Sequence, residues 1–299
     1  MRKVLVILRL PLLALASLLI AIGGGCEKAK APGPQPGDFA NPQRVTILGY
    51  SGDAMEPFIS RDGKYLFFNN SNDPAVDTNL HWAERIDDLT FQYKGEIGGV
   101  NSTKLDGVAS MDRNGVFYFV STRSYDQTAS TVYRGSFDNG TVTRLDLAPG
   151  VSTSTPGIVN FDAEISPDGK TLYFVESRFS ASGQPQTADI LIATWNGSAF
   201  ARDSNSATVM RQVNTSKSLE YAPAISTSGL ALFFTSLEGS SPAIYAATRT
   251  DTSSPFGAPQ KITAATGFVE GPTLSPDEKS LYYHKREGGL FVIYRVTRP

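Results

Sequence analysis

Apolar residues along this chain come in short bursts broken by Gly, Ser, Thr, Asn and Pro, a texture that predicts many short strands joined by tight turns. Five segments repeat one pattern: EPFISRDGKYLFFNN from Glu56, ASMDRNGVFYFVSTR from Ala109, DAEISPDGKTLYFVESR from Asp162, APAISTSGLALFFTS from Ala222 and GPTLSPDEKSLYYHKR from Gly271. Each opens with a short run that enters a turn at Asp62-Gly63, Asn114-Gly115, Asp168-Gly169, Ser228-Gly229 or around Glu278. Glycine takes positive φ there without steric cost, so the turn reads as a hairpin. The run that follows, 65–68 in the first copy and 172–175 in the third, is apolar at nearly every position. Such a strand is covered on both faces, as happens when twisted sheets pack side by side. A third strand is predicted over 79–86, 131–137, 189–195, 243–248 and 290–296, and Asn139-Gly140 and Asn196-Gly197 then open a fourth through tight hairpins.

The turns recur at about 50 to 60 residues, the period of a propeller blade. The last copy stops at Pro299 after three strands, while RVTILGY at 44–50 is a strand-like run with no partner of its own. If that run completes the last sheet, the ring closes and no sheet edge is left there to pair with another chain. The expected fold is therefore all-β: a five-bladed β-propeller of four-stranded antiparallel sheets, with the last blade closed by the N-terminal strand.

Ahead of the repeats, Met1, Arg2 and Lys3 precede a largely apolar run to Ile22, then Gly23, Gly24, Gly25 and Cys26. This is the layout of a secretory signal peptide over 1–25. Cys26 is the only cysteine, so it has no partner for an internal disulfide. The stretch resembles a lipobox, in which small residues precede a cysteine that is lipidated and becomes the mature N-terminus. Here Gly23 stands where an aliphatic residue is usual, with Ile22 one step back; an ordinary signal peptide followed by a free thiol is the alternative. Residues 26–43 are rich in Pro, Gly and Lys without apolar periodicity and read as a flexible tether. The propeller domain is then expected over 44–299, held at a bacterial membrane in the cell envelope.

A formal charge of -2 and the lack of a Lys/Arg stripe argue against nucleic acid as a partner. With His81 and His284 the only histidines, neither a Cys/His zinc site nor a His-based triad has enough ligands or bases. No phosphate-binding or dinucleotide-binding glycine loop is present, and no cofactor or metal is expected. The oxygen-rich loop 69–79 lacks EF-hand spacing and reads as a solvated loop. Trp82, Trp195, Tyr133, Tyr245 and Tyr294 fall on third strands, where packing between blades is the expected role.

The candidate chemistry is acidic. A carboxylate stands shortly before the first strand of every copy: Glu56, Asp106, Asp162, Glu220 and Glu270. First strands line a propeller's central channel, so these groups are placed to ring one mouth and favour a cation, a basic side chain of a partner or a polarised sugar. The alternative is that each caps the backbone of its own turn or pairs with Arg123, Arg178 or Arg286.

The turn SPDG at 166–169 followed by KTLYF, together with SPDEKSLYY from Ser275, resembles the repeat of TolB-like, WD40-like propellers of bacterial envelopes. GVNSTKLDGVASM from Gly99 and QVNTSKSLEYAPAIS from Gln212 share a V-N-[ST] lead-in similar to that of envelope lipoproteins carrying this repeat. The resemblance implies a non-enzymatic platform that binds an envelope protein or peptide. Five-bladed propellers also include arabinanase-type glycoside hydrolases, and FVEGPTLS around Glu270 resembles the stretch carrying their general acid. A glycan-binding or glycan-cleaving propeller using paired channel carboxylates is therefore the second expectation.

Overall fold

A computed structural model of the chain describes residues 38–73, 75–180 and 183–299. The expected signal peptide, Cys26 and residues 27–37 of the tether lie outside the described residues; the last part of the expected tether, 38–43, is not a tether but holds buried Phe39 and most of the first strand. Twenty-one strands follow in chain order. β1 (Ala40–Arg44) and β2 (Thr46–Leu48) come first; blade 1 is then β3 (Met55–Ile59), β4 (Tyr65–Asn69), β5 (Leu80–Arg85) and β6 (Thr90–Glu96). Blade 2 is β7 (Asp106–Met111), β8 (Val116–Ser121), β9 (Val132–Asp138) and β10 (Thr141–Leu147). Blade 3 is β11 (Ile158–Ile165), β12 (Thr171–Phe179), β13 (Pro185–Trp195) and β14 (Phe200–Arg202), and blade 4 is β15 (Leu219–Ile225), β16 (Ala231–Glu238), β17 (Ser241–Thr248) and β18 (Gln260–Lys261). Blade 5 is β19 (Val269–Leu274), β20 (Ser280–Glu287) and β21 (Leu290–Thr297), with β1 as its fourth strand. The innermost strands β3, β7, β11, β15 and β19 touch in that order, and β19 returns to β3. The fold is a five-bladed β-propeller closed by its N-terminal strand.

The closing strand differs in detail from the expected 44–50. β1 pairs antiparallel with β21, Gln43 facing Arg295 and Arg44 facing Tyr294. The chain then crosses to blade 1, where β2 runs parallel to β6 as a fifth strand. Val45 at the crossover is buried and donates its N–H to Ile293 O at 2.8 Å. All of β1 is exposed, being an outermost strand, so it carries no apolar pattern from which to read it. Its anchor is Phe39, buried edge-on against Phe233 at 5.8 Å between ring centres.

The core lies between blades rather than within them. One cluster joins Phe58, Phe67 and Trp82 of blade 1 to Phe117, Phe119 and Tyr133 of blade 2, and another joins Val175 and Ile190 of blade 3 to Phe234 of blade 4. Phe67, Phe117, Phe174 and Phe233 lie on second strands and have no exposed surface. Each contributes about 1.5–3 kcal/mol by burial. Trp82 and Tyr133 are buried, and Tyr245, Tyr294 and Trp195 pack at the cluster margins, the inter-blade role expected of them.

Candidate functional site at the channel mouth

Every innermost strand breaks register at one place. The bulges fall between Met55 and Phe58, Gly107 and Ser110, Phe161 and Glu164, Tyr221 and Ala224, and Glu270 and Thr273. At each, one residue turns left-handed: Glu56, Val108, Asp162, Ala222 and Gly271, with φ from 48° to 64°. A bulge takes its N–H out of the ladder, and a buried N–H needs another acceptor. Four of the five take a side chain of the preceding blade. Val108 N donates to Asn69 Oδ1 at 3.1 Å, Gly271 N to Thr235 Oγ1 at 3.1 Å, and Glu56 N to His284 Nδ1 at 3.1 Å. Asn69, Thr235 and His284 are equivalent second-strand residues, each facing the residue just before its own blade's bulge. In blade 3 that position is Val175, which has no acceptor, and Asp162 Oδ2 accepts the Ala222 N–H instead at 2.9 Å.

The five sequence candidates therefore occupy three different registers. Glu56 and Asp162 are bulge residues, Glu270 is one step earlier, and Asp106 and Glu220 are two steps before their bulges. The first three come together; the last two do not join them. Asp106 accepts from Ser102 N and Oγ at 2.5 and 2.6 Å and pairs with Arg123 at 2.5 Å. Glu220 accepts from Thr215 N at 3.0 Å and Ser218 Oγ at 2.5 Å. The V-N-[ST] lead-in has the same structural meaning in both places: Asn101 and Asn214 bracket the backbone of Leu80 and Ile190 on a third strand, and the Ser or Thr beside each ties to the acid. Arg178 and Arg286 pair with none of the five among the described residues.

At the mouth, Glu270 accepts from the Tyr221 hydroxyl on one oxygen and meets His284 Nε2 at 3.1 Å on the other. Because Nδ1 accepts the Glu56 N–H, Nε2 carries the proton given to Glu270. Asn72 of loop 69–79 donates to Glu56 Oε1 at 2.8 Å. Among the described residues no group of three or more His, Cys, Asp or Glu is placed to hold a metal. Burial pushes the Glu56 carboxyl above its ordinary pKa, with Glu270's charge adding and His284 opposing. Asp162 is pushed well up by burial and by the charges of Glu56 and Glu270, against the Ala222 N–H. Burial works to lower the His284 pKa, but the charges of Glu56 and Glu270 outweigh it and raise it. Tyr221 is held strongly protonated by burial and by Glu270.

The opposite end of the axis is sealed. Arg61 reaches across from blade 1 to Glu164 of blade 3 at 2.7 Å, to Ile165 O at 2.6 Å and to Met111 O at 3.2 Å. Glu164 also accepts from Ser110 Oγ at 2.8 Å. Between this plug and the acids remains a cavity of about 30 Å³ lined by Glu56, Asp162 and the bulge backbones. It has room for one water. Sequence reasoning missed Arg61, Glu164, Tyr221 and Asn72, and set His284 aside; the visible signal was the series Asn69, Val120, Val175, Thr235, His284 at one repeat position.

No family model matches the chain, and no curated protein does. Solved structures do. A glycoside hydrolase superposes with a TM-score of 0.60 at 9% identity, over 86% of this chain and 90% of that one. A family 117 glycoside hydrolase of the marine bacterium Zobellia galactanivorans gives 0.55 at 10% identity, over 87% and 90%. A putative TolB from Agrobacterium tumefaciens gives 0.48 at 16% identity, over 79% and 71%, which is too low to argue from. What is shared is the fold. At these identities neither group lends its activity to this chain.

Proposed function

We propose that this chain is a non-catalytic binding scaffold: a propeller held at a bacterial membrane in the cell envelope by a lipid on Cys26, presenting the loop face around Glu56 and Glu270 to another envelope protein or peptide. The observation that supports it is how the mouth carboxylates are used. Both oxygens of Glu270 and both nitrogens of His284 are engaged, and Asp162 ties blade 3 to blade 4. The cavity of about 30 Å³ beside them is far below the volume of roughly 300 Å³ at which small-ligand pockets begin. Recognition is then left to the rim, where the exposed loop carrying Asn72 meets Glu56.

A glycan-cleaving reading is favoured by a different observation: Glu56, Asp162 and Glu270 converge from three blades, and two of them hold protons above the ordinary carboxylate range. Glycoside cleavage needs one protonated and one ionised carboxyl. The two readings part on one experiment. The domain from Asp38 onward is assayed for reducing-end release on polysaccharides and aryl glycosides, and a photo-crosslinker at position 72 is activated in intact envelopes. The scaffold reading expects no turnover and a discrete crosslinked protein. Turnover abolished by Glu270→Gln would overturn it.

A further inference from the structure

At the end of the ring that carries the Asp-Gly turns, grooves open between adjacent blades, and the molecule's own repeats serve as controls for one another. A residue at the end of each third strand donates its N–H to the residue ahead of the second strand: Arg85, Phe137, Trp195, Arg249 and Arg298 hold this position. Between blades 3 and 4, Arg249 fills the groove, donating to Tyr173 Oη and Gly229 O at 2.9 and 2.8 Å and lying 4.4 Å over Phe256. Between blades 5 and 1, Arg85 and Arg295 both pair with Asp88, and the Tyr282 hydroxyl donates to Asp88 O at 2.8 Å.

The groove between blades 1 and 2 lacks these bridges. Phe137 replaces the arginine, Phe67 stands where those two grooves have Tyr173 and Tyr282, and the blade 2 turn is one residue shorter, Asp112 N reaching Val116 O where Ser60 N reaches Tyr65 O. The result is a cleft of about 400 Å³, against about 300 and 200 Å³ for the other two. Its wall is the partly exposed pair Tyr65 and Phe137, 5.5 Å apart and edge to face, with Met111 also lining it. Of its charged lining, Arg61 is paired with Glu164, Asp62 with Lys64, and Asp112 accepts from its own turn, while exposed Arg113, Asp138 and Asn139 on the rim have side chains with no hydrogen-bond or ion-pair partner among the described residues.

We propose that this cleft binds a pyranose bearing a carboxylate, that is, a uronate residue of an acidic glycan. The aromatic wall offers a stacking face for the ring's C–H groups, and the free guanidinium of Arg113 matches a carboxylate's fork geometry. Asp138 is an acceptor that an aromatic acid would leave unsatisfied and that ring hydroxyls satisfy. A neutral sugar leaves Arg113 without its anion. The site is separate from the channel mouth and independent of the scaffold reading.

Trp82 lies 5.6 Å edge-on from Tyr65, so its fluorescence reports occupancy of the cleft. The domain from Asp38 onward, carrying Trp195→Phe so that Trp82 is its one tryptophan, is titrated with trigalacturonate and with the neutral galactotriose, following Trp82 emission and heat of binding. Saturable binding of trigalacturonate that weakens at least about tenfold in Arg113→Ala, and is unchanged in Arg211→Ala, is expected, as for loss of a charge-assisted bond. Arg113 is exposed, so its removal leaves the fold intact. Galactotriose binding as tightly as trigalacturonate, an Arg113→Ala variant that binds like the parent, or no saturable binding at millimolar concentrations overturns the proposal.

Discussion

Asp162 and Glu56 carry the chemistry of the axis into stability. Each is buried and raised above its ordinary value, so the folded chain holds protons that the unfolded chain has released. Where the folded state binds more protons, stability falls as pH rises. The contribution is fully present below the ordinary values of 4.5 and 3.8 and is lost as pH climbs through the raised ones. Denaturant midpoints of the domain should therefore decline as pH rises above the ordinary values and through the raised ones, and Glu56→Gln with Asp162→Asn should flatten that slope while keeping acceptors for Asn72 and the Ala222 N–H. A slope identical in parent and double variant would mean that the two carboxyls are not protonated in the fold. At the same scale, the sequence marked all five acids alike. Chain position before a strand does not say which register a side chain takes, and one residue separates Glu270 at the mouth from the tied register of Asp106 and Glu220.

The bulge is the element that distinguishes these strands from plain ladder strands, and Gly271 is where its geometry is tightest. With φ at 64°, a Cβ there would stand 2.6 Å from Glu56 Oε2 and 3.0 Å from His284 Nδ1. Gly239 has a similar φ of 69° in an open turn with nothing within 4 Å. Left-handed backbone alone costs a side chain about 1–2 kcal/mol. Gly239→Ala should lose about that much in urea unfolding. Gly271→Ala should lose clearly more, because it also displaces the Glu56 and His284 tie between blades 1 and 5. Equal losses would show that the tie yields without cost. Second strands were legible at this scale because burial on both faces writes an unbroken apolar run. β1 was not, because an outermost strand that is wholly exposed writes none.

At the scale of the whole molecule, the ring depends on a strand from the far end of the chain. Starting the chain at Thr46 removes β1 and Phe39, leaving β21 with an open edge beside buried Phe233. Light scattering should find this truncation self-associating and melting well below the domain begun at Asp38. A monomer of unchanged melting temperature would mean that β1 closes nothing. Repeat number, turn chemistry and apolar period are local quantities, so the sequence by itself determined five blades, their strand order and the packing of their aromatics between them. The meeting of Glu56, Asp162, Glu270, His284 and Tyr221, the Arg61–Glu164 plug and the open cleft beside Arg113 were decided only by tertiary structure. Each joins residues of different blades, brought together by the closure of the ring and by single-residue bulges and turn lengths that a linear pattern does not encode.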